Sequence, residues 1–351
     1  MAYTTIDDPT SFFNTVLYTG SNSSQSITGV GFQPDWVWFK QRGGTTDHKL
    51  HDVVRGTNKN ITTNNNAAEQ TYTYFTSFDS DGFTLEGNVS DYNKDSLTYV
   101  AWNWLAGTSF SNDASSTGVG SIDSSGSINT TAGFSIIGFT GNAQTGTTIA
   151  HGLGVKPNVI ILKNRGPDVA NWQVYHSSLT ATHYIQLNST GAATDSNTRW
   201  NDTEPTSTVF TTGSSGDVKG DSSGETFIAY CFAEIKGYSK FGSYTGGSDP
   251  FVYLGFKPAW IMFKNSSASE NWRIIDNKRD TDNPAAQHLY PNLSNAEGSG
   301  TSYNDFVDFL SNGFKIRSGS GEIDGSGNTI IFMAFAESPF VNSNGIPNNA
   351  R

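Results

Sequence analysis

The segment Gly220-Asp221-Ser222-Ser223-Gly224 has the residue types of a serine-nucleophile loop, a hydroxyl set between glycines and next to an acid. A serine nucleophile needs a base, and the base needs a third group to hold it. The six histidines, His48, His51, His151, His176, His183 and His288, stand in no recognisable partner spacing. A similar run, Asp324-Gly325-Ser326-Gly327-Asn328, also precedes an apolar segment, so both are expected to be turns. Asp79-Ser80-Asp81-Gly82 brings two carboxylates together, as a calcium loop does, but calcium takes roughly six to eight oxygens. His48 and His51 lie three apart with no cysteine or third ligand nearby, which is too little for zinc. The single Cys231 sits in an apolar run and reads as a small buried residue.

Asp52 with Arg55 and Asp276 with Arg279 share a three-residue spacing, and His176 with Leu179 occupies the matching place between them. A catalytic carboxylate would be one use of such an acid. The plainer reading is a local ion pair at a turn, which on a surface contributes about 0–1 kcal/mol. Trp200, Tyr290 and Tyr303 stand in polar surroundings and are candidates for stacking on sugars or anchoring a protein contact. Nothing else nominates a catalytic residue, a metal site or a cofactor.

The elements that carry these residues repeat. Gly31-Phe32-Gln33-Pro34-Asp35-Trp36-Val37-Trp38-Phe39-Lys40 recurs as Gly154-Val155-Lys156-Pro157-Asn158-Val159-Ile160-Ile161-Leu162-Lys163 and as Gly255-Phe256-Lys257-Pro258-Ala259-Trp260-Ile261-Met262-Phe263-Lys264. A proline suits the first position of a strand, and the glycine before it permits the turn. Trp36 and Trp38 then fall on one face, Val37 and Phe39 on the other. Both faces are apolar, so the strand is expected inside its sheet with a cover on each side, the second being a neighbouring repeat or another subunit. The prolines lie 123 and 101 positions apart, which implies a repeating unit of about 100 residues.

In chain order the units align further. Each opens on a strand ending in Thr-Gly (Phe12 to Gly20, Phe134 to Gly141, Phe241 to Gly246) and closes on an apolar strand (Thr98 to Trp102, Thr226 to Tyr230, Ile331 to Phe335). Short strands between frequent turns predict an all-β chain of three related antiparallel β-sandwich units. The expected layout is an N-terminal arm over 1–11, units over 12–107, 132–236 and 237–337, a flexible Ser/Gly/Thr-rich linker over 108–131, and a polar tail over 338–351. A propeller fits less well, since its blades run to about 40–50 residues.

The chain has 351 residues, a net charge of −11 and no basic run, which argues against binding a phosphate backbone. No apolar stretch is long enough to span a membrane, and the first ten residues lack the pattern of a signal peptide.

Three segments together resemble a family of virion proteins of tailed phages from marine and aquatic bacteria. They are residues 255–264 quoted above, Trp272 with Asp276, and Met333-Ala334-Phe335-Ala336-Glu337-Ser338-Pro339-Phe340 continuing to Asn344-Gly345-Ile346-Pro347. The resemblance covers most of residues 12–351 and brings no catalytic residues with it. It implies a non-enzymatic tail, fibre or capsid-decoration protein, made in the host cytoplasm and located in the virion. Its expected partners are other virion proteins and further copies of itself in a homo-oligomer. A host-surface glycan would be the partner if the chain were instead an adhesin.

Overall fold

The computed structural model describes residues 3–166, 170–247, 249–298, 306–318 and 320–348. It is nearly all β, with antiparallel sheets throughout. Each repeat builds the same four-stranded core in the same order: opening strand, closing strand, proline strand, fourth strand. In the first repeat these are Phe13–Thr19, Thr98–Trp104, Trp36–Gln41 and Lys49–Asp52. In the second they are Phe134–Thr140, Thr226–Phe232, Val159–Asn164 and Gln173–His176. In the third they are Ser239–Thr245, Thr329–Pro339, Phe256–Asn265 and Trp272–Asp276.

The register makes positions comparable across the repeats. The residue four places after the repeat proline (Trp38, Ile161, Met262) pairs with Trp102, Tyr230 and Met333 on the closing strand. Those three pair in turn with Thr15, Ile136 and Phe241 on the opening strand. A repeating pattern of apolar residues thus becomes the same sheet three times.

The two apolar faces of each proline strand have different covers. Val37 and Phe39, Ile160 and Leu162, and Ile261 and Phe263 face separate clusters within their own repeats. Small sheets lie over these outer faces: Gln25–Ile27 with Gly82–Leu85 and Phe75–Asp79, Thr147–Ala150 with Val209–Thr212, and Phe251–Tyr253 with Gly313–Ser318 and Phe306–Leu310. The small sheet of the second repeat has two strands where the other two have three. The other face joins one cluster shared by all three repeats, with Trp36, Trp38, Val159, Ile161, Trp260 and Met262 at its centre. Trp36 stacks on Tyr230 of the second repeat at 4.5 Å, and Trp260 meets Trp104 of the first edge-on at 5.7 Å. The other repeats therefore supply the second cover from within the chain, and the apolar strand needs no second subunit to close it.

Two expectations change. Residues 108–131 are not a flexible linker: Thr108–Asn112 and Ser124–Asn129 form a hairpin that pairs with the opening strand of the second repeat, extending its sheet to eight strands. Small serine and glycine residues suit a strand as well as a linker once a sheet edge supplies partners. Pro258 does not begin its strand, which starts at Phe256 and shifts register on either side of the proline. A proline inside a strand is accommodated at such an irregularity. The N-terminal arm is held at the joint of the second and third repeats, where Thr4 donates to the Lys236 carbonyl and Tyr3 to the Gly255 carbonyl, and Asp7 accepts hydrogen bonds from Ser343 of the tail.

Candidate functional site

The ionisable residues singled out by spacing are concentrated where the repeats meet. Asp52 and Arg55 are fully buried, and so are Asp276 and Arg279, which corrects their reading as surface pairs. Arg55 donates to Asp52, whose second contact is the Tyr230 hydroxyl of the second repeat at 2.7 Å. Arg279 donates to Asp276, which accepts the Trp102 indole N–H of the first repeat at 3.0 Å. Tyr230 and Trp102 are equivalent positions. Glu69 then bridges Arg55 and Arg165, while Glu297 bridges Arg279 and Arg42. Burial works against the Arg55 and Arg279 guanidinium charges, but their acidic partners outweigh it and raise both pKa values.

The contact from the second repeat to the third is built differently. His176 stands where Asp52 and Asp276 stand, and its Nε2 donates to the Phe332 carbonyl at 3.2 Å. Burial lowers its pKa to about 4, so the ring is neutral. Leu179 replaces the arginine, Ala193 the glutamate, Ser266 the second arginine and Met333 the Tyr or Trp. The backbone contact is nevertheless kept: Glu69, Ala193 and Glu297 each donate their N–H to the carbonyl of Arg165, Ser266 and Arg42 respectively.

A second set of contacts runs around the same ring. The Trp172 indole donates to the Thr62 carbonyl of the first repeat, and the Trp272 indole to the Gln186 carbonyl of the second, each at 2.9 Å. His48 holds the corresponding place in the first repeat. It accepts the Trp38 indole N–H on Nδ1, and its Nε2 is turned toward the Tyr290 carbonyl of the third repeat without reaching hydrogen-bond geometry. The first repeat thus contacts the second, the second the third, and the third the first.

The three repeat lysines are also structural. Lys40, Lys163 and Lys264 are completely buried. Lys40 Nζ donates to the Gln41 and Gly44 carbonyls, Lys163 Nζ to those of Asn164 and Ala170, and Lys264 Nζ to those of Glu270 and, across the joint, Thr190. Each ammonium ties down the loop that follows its strand. Burial lowers all three pKa values to about 8.

The remaining candidates are committed to turns or core. Ser222 and Asp221 donate backbone N–H groups to Glu225, as a turn does. Asp79 accepts from the hydroxyls of Ser77 and Thr84, and Asp81 from the N–H groups of Gly29 and Gly31. Trp200 is 1% exposed and packs edge-on against Tyr175, so it offers no stacking face. Tyr290 is 5% exposed, with the Arg273 guanidinium over its ring. Tyr303 lies outside the described residues. Pro34 and Pro157 stand just ahead of their strands, and Trp36, Trp38 and Trp260 lie in the shared core. Spacing alone missed Glu69, Glu297, Arg42 and Arg165; the available signal was that their types disappear together from one repeat contact.

Two clefts open beside these contacts. One of about 720 Å³ lies between the first and second repeats and is lined by Val54, Asp113, Asp123, Ser125, Thr140 and Arg165 among others. Its charged groups are already engaged: Asp113 caps the short helix Ala114–Thr117, Asp123 accepts from Ala114, and Arg165 pairs with Glu69. The other, of about 340 Å³, lies between the third and first repeats, where Lys257 pairs with Glu337 and Asn277 donates to the same carboxylate. Among the described residues no group of three His, Cys, Asp or Glu side chains is placed to hold a metal ion.

The geometry defines one all-β body made of three repeats and closed by three buried contacts. The chain belongs to the family described as "Domain of unknown function (DUF7483)", which matches residues 8–339 and so takes in all three repeats as one unit. No curated protein and no solved structure matches the chain.

Proposed function

We propose that this chain is a non-enzymatic structural component of a bacteriophage virion, seated on the capsid or tail and acting through shape and contact area. The observation that carries this reading is the use of the buried ionisable residues: the ion pairs and His176 hold the repeats to one another, and the repeat lysines tie down loops. The segments at 255–264 and 333–347 that resemble phage virion proteins support it from the sequence side. A ring of equivalent repeats also suits a platform of three-fold or six-fold symmetry. Cryo-electron microscopy of intact particles tests the reading. Density for the chain on capsid or tail is expected, and its absence from purified particles refutes it.

A glycan-binding adhesin is the second reading, favoured by one surface. Phe251 and Tyr253 are 50% and 48% exposed on one outer strand, with Lys240 over the Tyr253 ring at 5.7 Å. A sugar would stack there rather than on Trp200 or Tyr290. Glycan-array binding by the full chain that Tyr253→Ala abolishes would establish this reading; no binding to any glycan would remove it.

A further inference from the structure

The three opening strands are equivalent, yet their outer edges are treated in three ways. In the second repeat, Ala233 and Gly141 bond to Gly133 and Glu225, which fixes the odd-numbered residues toward the closing strand. Phe134, Ile136 and Gly138 therefore turn their backbone groups outward, where the chain's own Ser124–Asn129 strand pairs with them. In the third repeat, Ala336 bonds to Tyr238 and Gly246 to Asn328, so Phe241 and Ser243 turn outward. That edge is guarded by charge: Glu234 accepts the Phe241 N–H, and Lys240 lies in the strand.

In the first repeat, Leu105 bonds to Phe12 and Gly20 to Leu97, so Thr15 and Leu17 turn outward. The strand Phe13–Thr19 is seven residues long, uncharged and free of proline. The Asn14 side chain takes the Thr15 N–H and Gln25 takes the Thr19 carbonyl. Both backbone groups of Leu17 stay open among the described residues, and Leu17 is 41% exposed. Such an edge is a template for one more strand.

We propose that this edge is a docking site for an extended segment of a partner protein: a hairpin of small polar residues with an acidic turn. The chain's own hairpin on the equivalent edge shows what fits. Its inner strand is Ser-Ser-Gly-Ser-Ile-Asn, and a Cβ on Gly126 would collide with the Ile136 carbonyl, so the register admits only glycine there. The hairpin brings Asp113 and Asp123 into the cleft lined by Arg165. Arg42 is the counterpart of Arg165 in the first repeat, since each donates its N–H to the first residue of its closing strand, Thr98 and Thr226. A carboxylate in the partner's turn would approach that guanidinium as Asp113 and Asp123 approach Arg165, each arginine keeping its glutamate partner. This docking does not depend on the virion reading.

The test uses the full chain and a fluorescent peptide of its own residues 106–131 as the probe. Leu17→Pro removes only an outward N–H, and Leu17→Asp sets a like charge against the acidic turn. Saturable binding with hydrogen-exchange protection of the Leu17 amide is expected, weakened at least about tenfold by either variant, since both act on strand pairing. A Gly126→Val peptide should not bind. The proposal is overturned if the peptide fails to bind, if binding is unchanged in both variants, or if sedimentation shows the chain pairing with a second copy through Leu17.

Discussion

Two of the three contacts between repeats are ionic, and the third is neutral. Around Asp52 and around Asp276, five positions carry an acid, an arginine, a glutamate, a second arginine and an aromatic hydrogen-bond donor. Around His176 the same five carry an imidazole, Leu179, Ala193, Ser266 and Met333. The backbone geometry is common to all three, including the N–H to carbonyl bond made by Glu69, Ala193 and Glu297. The difference teaches that the set is exchanged as a whole. A buried ion pair breaks roughly even against apolar residues, but half of one is costly, because the remaining charge stays in a low dielectric without its partner.

The largest effect should therefore come from breaking one ionic contact. Arg55→Ala leaves Asp52 buried without its ionic partner and takes one of two arginines from Glu69, and a loss of about 3–5 kcal/mol is expected from urea unfolding. A loss below about 1 kcal/mol would mean that Asp52 had been relieved by another route, and the comparison with His176 would fail.

Next in size is a change that touches a feature common to all three repeats. Lys163→Met keeps the length of the side chain but strands the Asn164 and Ala170 carbonyls, at an expected cost of about 1–3 kcal/mol. Relief from burying an ammonium offsets part of this. If the variant were as stable as the parent, the lysine would be a passenger of the repeat and not the tie that holds its loop.

Much of this architecture was readable from spacing. The repeat prolines, the two-sided apolar strands and the Thr-Gly endings identify three copies of one sheet, because strand alternation and turn chemistry are local properties. The spacing Asp52 to Arg55 was visible too, but its burial was not. Burial arises when another repeat covers the pair, and the covering residue, Tyr230, lies 178 positions from Asp52. Trp200 shows the converse. Its neighbours Arg199 and Asn201 are polar, yet a single turn of helix, Asn197–Trp200, rotates the indole into the core. The hairpin of 108–131 was hidden because serine and glycine carry no strand signal until an edge is present.

The neutral contact should also announce itself in acid. His176, like His151, has its pKa lowered to about 4 by burial, and His48, His51 and His288 are lowered as well. Unfolded histidines titrate near 6.5, so as pH falls below that value the unfolded chain takes up protons that the folded chain refuses. Stability is then lost progressively between about pH 6.5 and the folded pKa values. His176→Gln, which can still donate to Phe332, should reduce proton uptake on unfolding near pH 5 by about one. An unchanged pH slope would show that the ring is already charged in the folded protein.

The smallest expected effect is the most discriminating. If contacts are exchanged as sets, then converting the first-to-second contact into the neutral kind, with Asp52→His, Arg55→Leu, Glu69→Ala, Arg165→Ser and Tyr230→Met together, should leave stability within about 2 kcal/mol of the parent. The single changes should each cost more than the whole, because each leaves an unpaired group that the next one removes. Urea midpoints for the five single variants and the combined one provide the measurement. A combined loss equal to the sum of the single losses would show that the neutral contact works only among the neighbours of His176. In that case the ionic and neutral contacts would be fitted to their own surroundings, and the equivalence of the three repeats would stop at the backbone.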